Sequence, residues 1–317
     1  MHRPAPPHNP AADRARPPAR HRTLLALPAL VLIWGANFAV VKYALRDLRP
    51  LAFNSLRFLI ASAVLGLFLA AGGERIRTTR RDWPAILGLG LLGTTLYQAL
   101  FIFGLDRTLA GNASLMLASG PIFTTLLARL FRQERSSGVV LGGVGLSVLG
   151  IVLVVLGGSK GVHFEAASLA GDLAILVAAA AWSAYTVGAT PLVHRCGVVP
   201  VTAATMWAGT LGLALVSLPA LLRQPWGAVG AGAWLALAYS GALGIATAYF
   251  LWYYSVRHIG ATRTAVYTNF VPVVALLVAW LTLGEQPTAL QLAGAAGILA
   301  GSALVHLGRV ERAQAGR

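Results

Sequence analysis

Apolar stretches of about 20 residues recur from Leu24 almost to the C-terminus, each broken by glycine, proline or clustered charge. A helix needs roughly 20 such residues to cross the hydrocarbon of a bilayer. The pattern therefore predicts spans near 24–44, 51–71, 84–105, 108–130, 138–157, 170–192, 200–222, 231–254, 260–284 and 287–308. Pro121 and Pro272 fall inside the fourth and ninth spans, where neighbouring helices can satisfy the carbonyls that a proline frees. Residues 1–23 hold six prolines together with Arg3, Arg14, Arg16, Arg20 and Arg22; such a segment buries nothing and is expected to be a disordered basic tail. Residues 158–169 read as a linker and 309–317 as a second tail. No small-x-small site follows the first apolar run, which predicts an uncleaved span rather than a signal peptide.

Laying the chain on itself with a shift of 151 places Ala110 on Ala261, Pro121 on Pro272, Glu134 on Glu285, Leu141 on Leu292, Gly143 on Gly294 and Gly150 on Gly301. Glycines alone recur by chance in any membrane protein. A proline followed thirteen residues later by a glutamate, twice at one offset, is a far stronger signal. A shift of 148 superposes Trp34 and Asn37 on Trp182 and Tyr185, so the repeats differ by three residues in length. The halves are 24–157 and 170–308, with five spans each, and because five is odd the two halves enter the membrane in opposite directions. The expected fold class is an all-α integral membrane protein whose ten transmembrane helices form two inverted five-helix repeats.

Composition agrees. With 57% hydrophobic and 11% charged residues over 317 positions and a mean hydropathy of +0.70, the chain has too little polar surface for a soluble fold. The formal charge of +15 raises nucleic acid as a partner. The basic residues, however, sit in short segments between apolar runs without interleaved aromatic residues, so no nucleic-acid partner is expected. Their placement orients the chain instead. The N-terminal tail, Arg75, Arg77, Arg80, Arg81, Arg129, Arg132, Arg135, Arg195, Arg257, Arg309, Arg312 and Arg317 share one side, against Arg46, Arg49, Arg107, Lys160 and Arg223 on the other. The positive-inside rule then predicts cytoplasmic N- and C-termini in a bacterial-type inner membrane. The single cysteine, Cys196, excludes an internal disulfide. His163, His194, His258 and His306 lack acidic companions at ligand spacing, so no metal, no cofactor and no membrane-embedded lipid enzyme is expected.

Trp34-Gly35-Ala36-Asn37-Phe38, Asn54-Ser55-Leu56-Arg57-Phe58, the Ala113 to Pro121 to Glu134 stretch, Gly171-Asp172 and the Pro272 to Glu285 stretch follow one another in an order and spacing that resemble the EamA group of the drug/metabolite transporter superfamily, over about residues 24 to 308. The resemblance implies export or uptake of small metabolites, often amino acids, through a cavity between the repeats. It also implies a contrast: the related four-helix multidrug exporters rely on a glutamate in their first helix, where this chain offers Asn37. With no carboxylate deep in a span, facilitated diffusion or coupling through an acid at a helix end is the expectation.

Polar and aromatic side chains at helical spacing mark the candidate pathway. Trp34 and Asn37 share a face of the first span, and Trp182 and Tyr185 a face of the sixth. Gln98 and Phe101 in the third fall on Tyr249 and Trp252 in the eighth, with Tyr97 and Tyr253 beside them, and Asn269 joins the set. Trp34 lies too deep to be an interfacial anchor, unlike Trp83 and Trp226 beside loops. Charges inside spans are costly. Arg57 can either hold a substrate carboxylate or snorkel to headgroups, while Lys42 and Arg263 lie near span ends. Glu134, Glu285 and Asp172 are expected at helix ends as hydrogen-bonding caps or gates, Asp172 at the positive N-terminus of the sixth helix. Gly88-Leu89-Gly90-Leu91-Leu92-Gly93 has the letters of a dinucleotide fingerprint but not its strand. It reads, with the pairs Gly138/Gly142 and Gly297/Gly301, as a helix-packing face. Asn112-Ala113-Ser114 is a formal glycosylation triplet at the mouth of a helix.

Together these features predict a secondary transporter, exporter or facilitator, that moves small metabolites such as amino acids by alternating access, surrounded by membrane lipids. Transport of a lipid intermediate or a drug is the alternative. The oligomeric state, a dimer among the options, has no signal in the sequence.

Overall fold

The computed structural model describes residues 19–71, 78–120, 138–158, 166–259 and 267–315, with short pieces at 122–124, 127 and 264. Pro121, Glu134, Arg263 and residues 1–18 lie outside the described residues, as does the side chain of Tyr253. In chain order the helices are α1 (Ala19–Ala44), α2 (Pro50–Ala71), α3 (Trp83–Gly90, Leu91–Leu96 and Tyr97–Arg107 in one run), α4 (Ala110–Leu117) and α5 (Gly138–Gly158). The second half supplies α6 (Ala166–Cys196), α7 (Val198–Leu222), α8 (Ala231–Ala238, Tyr239–Thr247 and Ala248–Ile259 in one run), α9 (Val271–Leu283) and α10 (Ala289–Ala315). Among the described residues seven helices are long and apolar enough to cross a membrane, and Val271–Leu283 and Ala289–Val305 are shorter apolar helices. The chain is an all-α membrane protein of two inverted five-helix repeats.

Several helix ends outrun the hydropathy pattern, whereas α4 stops at Leu117 and α9 starts only at Val271, inside the expected spans 108–130 and 260–284. α1 begins at Ala19 rather than residue 24, α6 at Ala166 rather than 170, and α10 continues to Ala315 rather than 308. Once an apolar core has nucleated a helix, each further residue adds one backbone hydrogen bond, so polar flanks can join it. The shift is still 148 where Ser62 meets Thr210 and has become 151 where Gly90 and Gly241 make matching contacts, so the three-residue difference between the repeats falls between these points. α3 and α8 each contain a π-helical stretch, Leu91–Leu96 and Tyr239–Thr247, and the first falls within the second at the shift of 151. Such wide turns recur at functional sites.

The inversion is visible in pairs of contacts. A Cβ on Gly143 would meet Gly301 O at 2.7 Å, and one on Gly294 would meet Gly150 O at 2.6 Å, which is the same contact with the repeats exchanged. Ser147 Oγ donates to Ile298 O at 3.4 Å, and these two positions are equivalent, so the pseudo-twofold axis passes between α5 and α10. It passes also between α2 and α7, where the equivalent Ser62 and Thr210 hydroxyls meet at 3.1 Å. Gly138 and Gly142 meet nothing within 4 Å among the described residues. The packing face of α5 is therefore Gly143 and Gly150, seven residues apart, and not the GxxxG pair that the sequence suggested.

Loop contacts sort into two membrane faces. On one, Arg49 N donates to Gln224 Oε1 at 2.8 Å, Gly230 N to Asp47 Oδ2 at 3.1 Å, and Thr288 Oγ1 to Gly157 O at 3.1 Å. On the other, Arg195 Nη2 reaches Asp82 Oδ1 at 2.7 Å.

Candidate functional site

Equivalent side chains of α1 and α6 each reach across to the opposite half. Asn37 packs on Gly244 in the π segment of α8, where a Cβ would lie 2.6 Å from Asn37 Oδ1. Its counterpart Tyr185 packs on Gly93 in the π segment of α3, where a Cβ would overlap the tyrosine ring. In both places only a residue without a Cβ lets the facing side chain sit against the backbone. Trp34 Nε1 donates to Gly244 O at 3.1 Å, and its ring lies 6.5 Å edge-on from Tyr249 and 5.8 Å from Trp252. On the other side of the axis Trp182 lies 5.1 Å from Tyr97 and 5.2 Å from Tyr185. The structure thus gathers two ring clusters, Trp34 with Tyr249 and Trp252, and Trp182 with Tyr97 and Tyr185, each beside one of the crossing side chains Asn37 and Tyr185. Asn37 Oδ1 is buried and meets no donor among the described residues, a condition that costs about 1–3 kcal/mol.

Gln98 and Phe101 lie one layer behind. Both are buried, and they serve Arg57. The guanidinium is buried at 2% exposure and turned inward, with Nε on Asn54 Oδ1 and Nη2 on Gln98 Oε1, each at 2.7 Å, and Nη1 on Ser240 Oγ at 3.2 Å. Asn54 Nδ2 in turn donates to Gln98 O at 2.8 Å. Snorkelling to headgroups is therefore excluded in this conformation. Asn54 entered the sequence reading only as part of the family-like stretch around Arg57, and Ser240 did not enter it at all. The i, i+3 spacing of Asn54 and Arg57 was a usable signal, whereas Ser240, 183 residues from Arg57, had none. Phe101 also packs on Phe38, with centroids 5.9 Å apart. Asn269, half-buried in the turn before α9, stands apart from these contacts.

The helix-end acids have separate roles. Gly284 takes a left-handed φ of 70°, ends α9 and turns the chain so that Glu285 accepts from Ala110 N at 3.1 Å and Gly111 N at 3.3 Å. Glu285 thereby caps α4, whose first amides have no partner within their own helix. Asp172 is not in the first turn of α6, because that helix starts at Ala166; it is 3% exposed and accepts from the Thr108 hydroxyl across the halves. Lys42 does not reach outward but donates to Leu105 O at 3.1 Å and to Thr108 O, capping the end of α3. Asn112 of the glycosylation triplet is buried and accepts from Gln291 Nε2 at 2.7 Å, so it is closed to modification in this conformation. A surface groove of about 320 Å³ lies elsewhere, against α1, α8 and α9, lined by Val40, Tyr43, Leu235, Tyr239 and Val278 among others.

The profile of the EamA-like transporter family matches the chain twice, over residues 21–156 and 169–307. Among curated relatives, the Bacillus subtilis (strain 168) protein named "Uncharacterized transporter YdfC" is 32% identical over 88% of this chain and 89% of its own length. A protein of Streptantibioticus cattleyicolor named "Probable terminal-alkyne amino-acid exporter" is 31% identical over 90% of this chain and 93% of its own. A solved crystal structure 22% identical in sequence has a TM-score of 0.64 and covers 90% of this chain and 97% of that one, a likeness of fold alone.

Proposed function

The chain belongs to the EamA-like transporter family, and we propose that within it this protein is a secondary transporter of small metabolites such as amino acids, exporter or facilitator, working by alternating access across a bacterial inner membrane with both termini cytoplasmic. It is a multi-pass membrane transporter rather than an enzyme, as its family and relatives indicate. The reading of cargo and mechanism is carried by one observation. Symmetry-equivalent side chains, Asn37 and Tyr185, cross the seam onto the π segments of the opposite halves, and Asn37 retains an unmet acceptor among the rings there. A small amphiphile would give that acceptor a donor and lay an apolar part on Trp34, Trp182 and Trp252. The amino-acid cargo in the printed name of one relative points the same way.

Reconstituted vesicles tested with a panel of amino acids and their analogues, in both directions and with or without a pH gradient, check this. At least one compound should cross faster than in empty vesicles, and Trp34→Ala or Asn37→Ala should slow it. Passage no faster than in empty vesicles for every compound would overturn the reading. Orientation has its own test: Cys196, the sole cysteine, ends α6 beside Arg195, on the face that this proposal makes cytoplasmic, so a membrane-impermeant maleimide should label it only after cells are opened. The apolar groove against α1, α8 and α9 favours a second reading, a lipid or drug cargo entering sideways; competition of transport by long-chain amphiphiles but not by amino acids would favour that one.

A further inference from the structure

The seam holds a cation that no described residue beside it neutralises. The three acceptors of Arg57, on Asn54, Gln98 and Ser240, are all neutral, and its guanidinium carbon lies 5.6, 5.5 and 5.3 Å from the ring centroids of Phe53, Phe58 and Phe101. Among the described residues no carboxylate pairs with it. A guanidinium carries five N–H donors. Three acceptors therefore leave one N–H on each terminal nitrogen, a spacing that matches the two oxygens of a carboxylate. The Phe101 ring against the guanidinium also lies 6.2 Å from the Tyr97 ring, which joins Arg57 to the central rings.

The opposite half supplies the control. Thr205, the equivalent of Arg57, has its hydroxyl engaged by Tyr185 Oη at 3.0 Å and Val201 O at 2.9 Å, and offers nothing to an anion. The neighbours follow suit, with Asn54 facing Thr202 and Gln98 facing Tyr249 in the repeat. A lone buried cation in a bilayer is among the costliest side-chain placements, and such residues mark substrate pathways. A purely structural tie between α2, α3 and α8 would be served by a neutral residue at lower cost.

We propose that Arg57 is the carboxylate subsite of the pathway: its two terminal nitrogens receive both oxygens of a small monocarboxylate, free or part of an amino acid, while the apolar body of the cargo lies against Tyr97, Trp34 and Tyr249. This rests on the transport reading above and adds that the cargo carries an anionic group. The test uses purified full-length protein and two probes of one shape, 4-methylpentanoate and 4-methylpentanamide, read by tryptophan fluorescence and thermal shift. Wild type should bind the carboxylate at least about tenfold more tightly than the amide, the difference expected between a charge-assisted pair and a neutral one. Arg57→Gln should bind the two alike, and Arg57→Lys, which loses the two-pronged contact, should bind the carboxylate about tenfold more weakly than wild type with the amide unchanged.

Equal binding of both probes by wild type, no response to any carboxylate from acetate to octanoate, or a preference that survives in Arg57→Gln overturns the assignment. If Arg57→Gln does not fold, unchanged carboxylate affinity in Arg57→Lys overturns it as well. The two readings fail separately. Vesicle transport that ignores the Arg57 substitutions sinks the subsite and leaves the transporter, whereas carboxylate preference without transport does the reverse.

Discussion

At the shift of 148, Arg57 in α2 and Thr205 in α7 present their carbonyls to Gly241 and Gly90 in the same way, at 2.8 and 2.6 Å from where a Cβ would stand. Their side chains do opposite things. Arg57 lies about a third of the way into the seam from one face and gathers Asn54, Gln98 and Ser240; Thr205 occupies the mirrored depth from the other face and closes on Tyr185. Close backbone approach tolerates nothing larger than hydrogen, so it preserves the symmetry. The side chains beyond it carry no such restraint and are free to differ, which is where a symmetric scaffold acquires a direction and a preference for one kind of cargo.

The comparison can be broken most severely at the axis. Gly150→Leu would drive a side chain into Gly294 O, already 2.6 Å from a Cβ, and is expected to abolish folded, monodisperse protein in gel filtration. A Gly150→Leu protein that melts like wild type would remove the axis from the account. Next comes the pair that differs: Arg57→Gln should cost on the order of 2–4 kcal/mol in thermal unfolding, because its partners lose a charged donor, against about 1 kcal/mol for Thr205→Val. Equal losses at the two positions would deny their chemical difference.

The glycines under the crossing side chains sharpen it further. Gly93→Ala meets the base of the Tyr185 ring, which cannot swing away, and should cost about 1–3 kcal/mol; Gly244→Ala meets the tip of Asn37, which can, and should cost less than about 1 kcal/mol. Tyr185→Ala should rescue the first. Glu285→Gln keeps an acceptor for one amide of α4 and should lower stability by about 0.5–1 kcal/mol. Smallest, and of opposite sign, Gly142→Ala meets open space and should raise helix stability by roughly 0.5–1 kcal/mol.

The candidate site was partly legible. Trp34, Asn37, Trp182, Tyr185, Tyr249 and Trp252 stood out because helical spacing and a fixed offset are properties of the chain alone. Gln98 and Phe101 stood out for the same reason, but the contacts place them behind the rings, in service of Arg57. Lys42 and Asp172 looked like groups for the membrane edge or a helix dipole, and each instead found a partner in a neighbouring helix. Glu285 looked like a cap, but the helix it caps belongs to the other half.

The sequence by itself determined the fold class, the repeat and its inversion, since hydrophobic length, an odd helix count and a recurring offset need no third dimension. Only the tertiary structure decided which glycines touch, why Arg57 stays inside, and where the pseudo-twofold axis runs. Those depend on how helices lean against one another, and a bond such as that from Arg57 to Ser240, 183 residues away, is written in packing rather than in any local pattern.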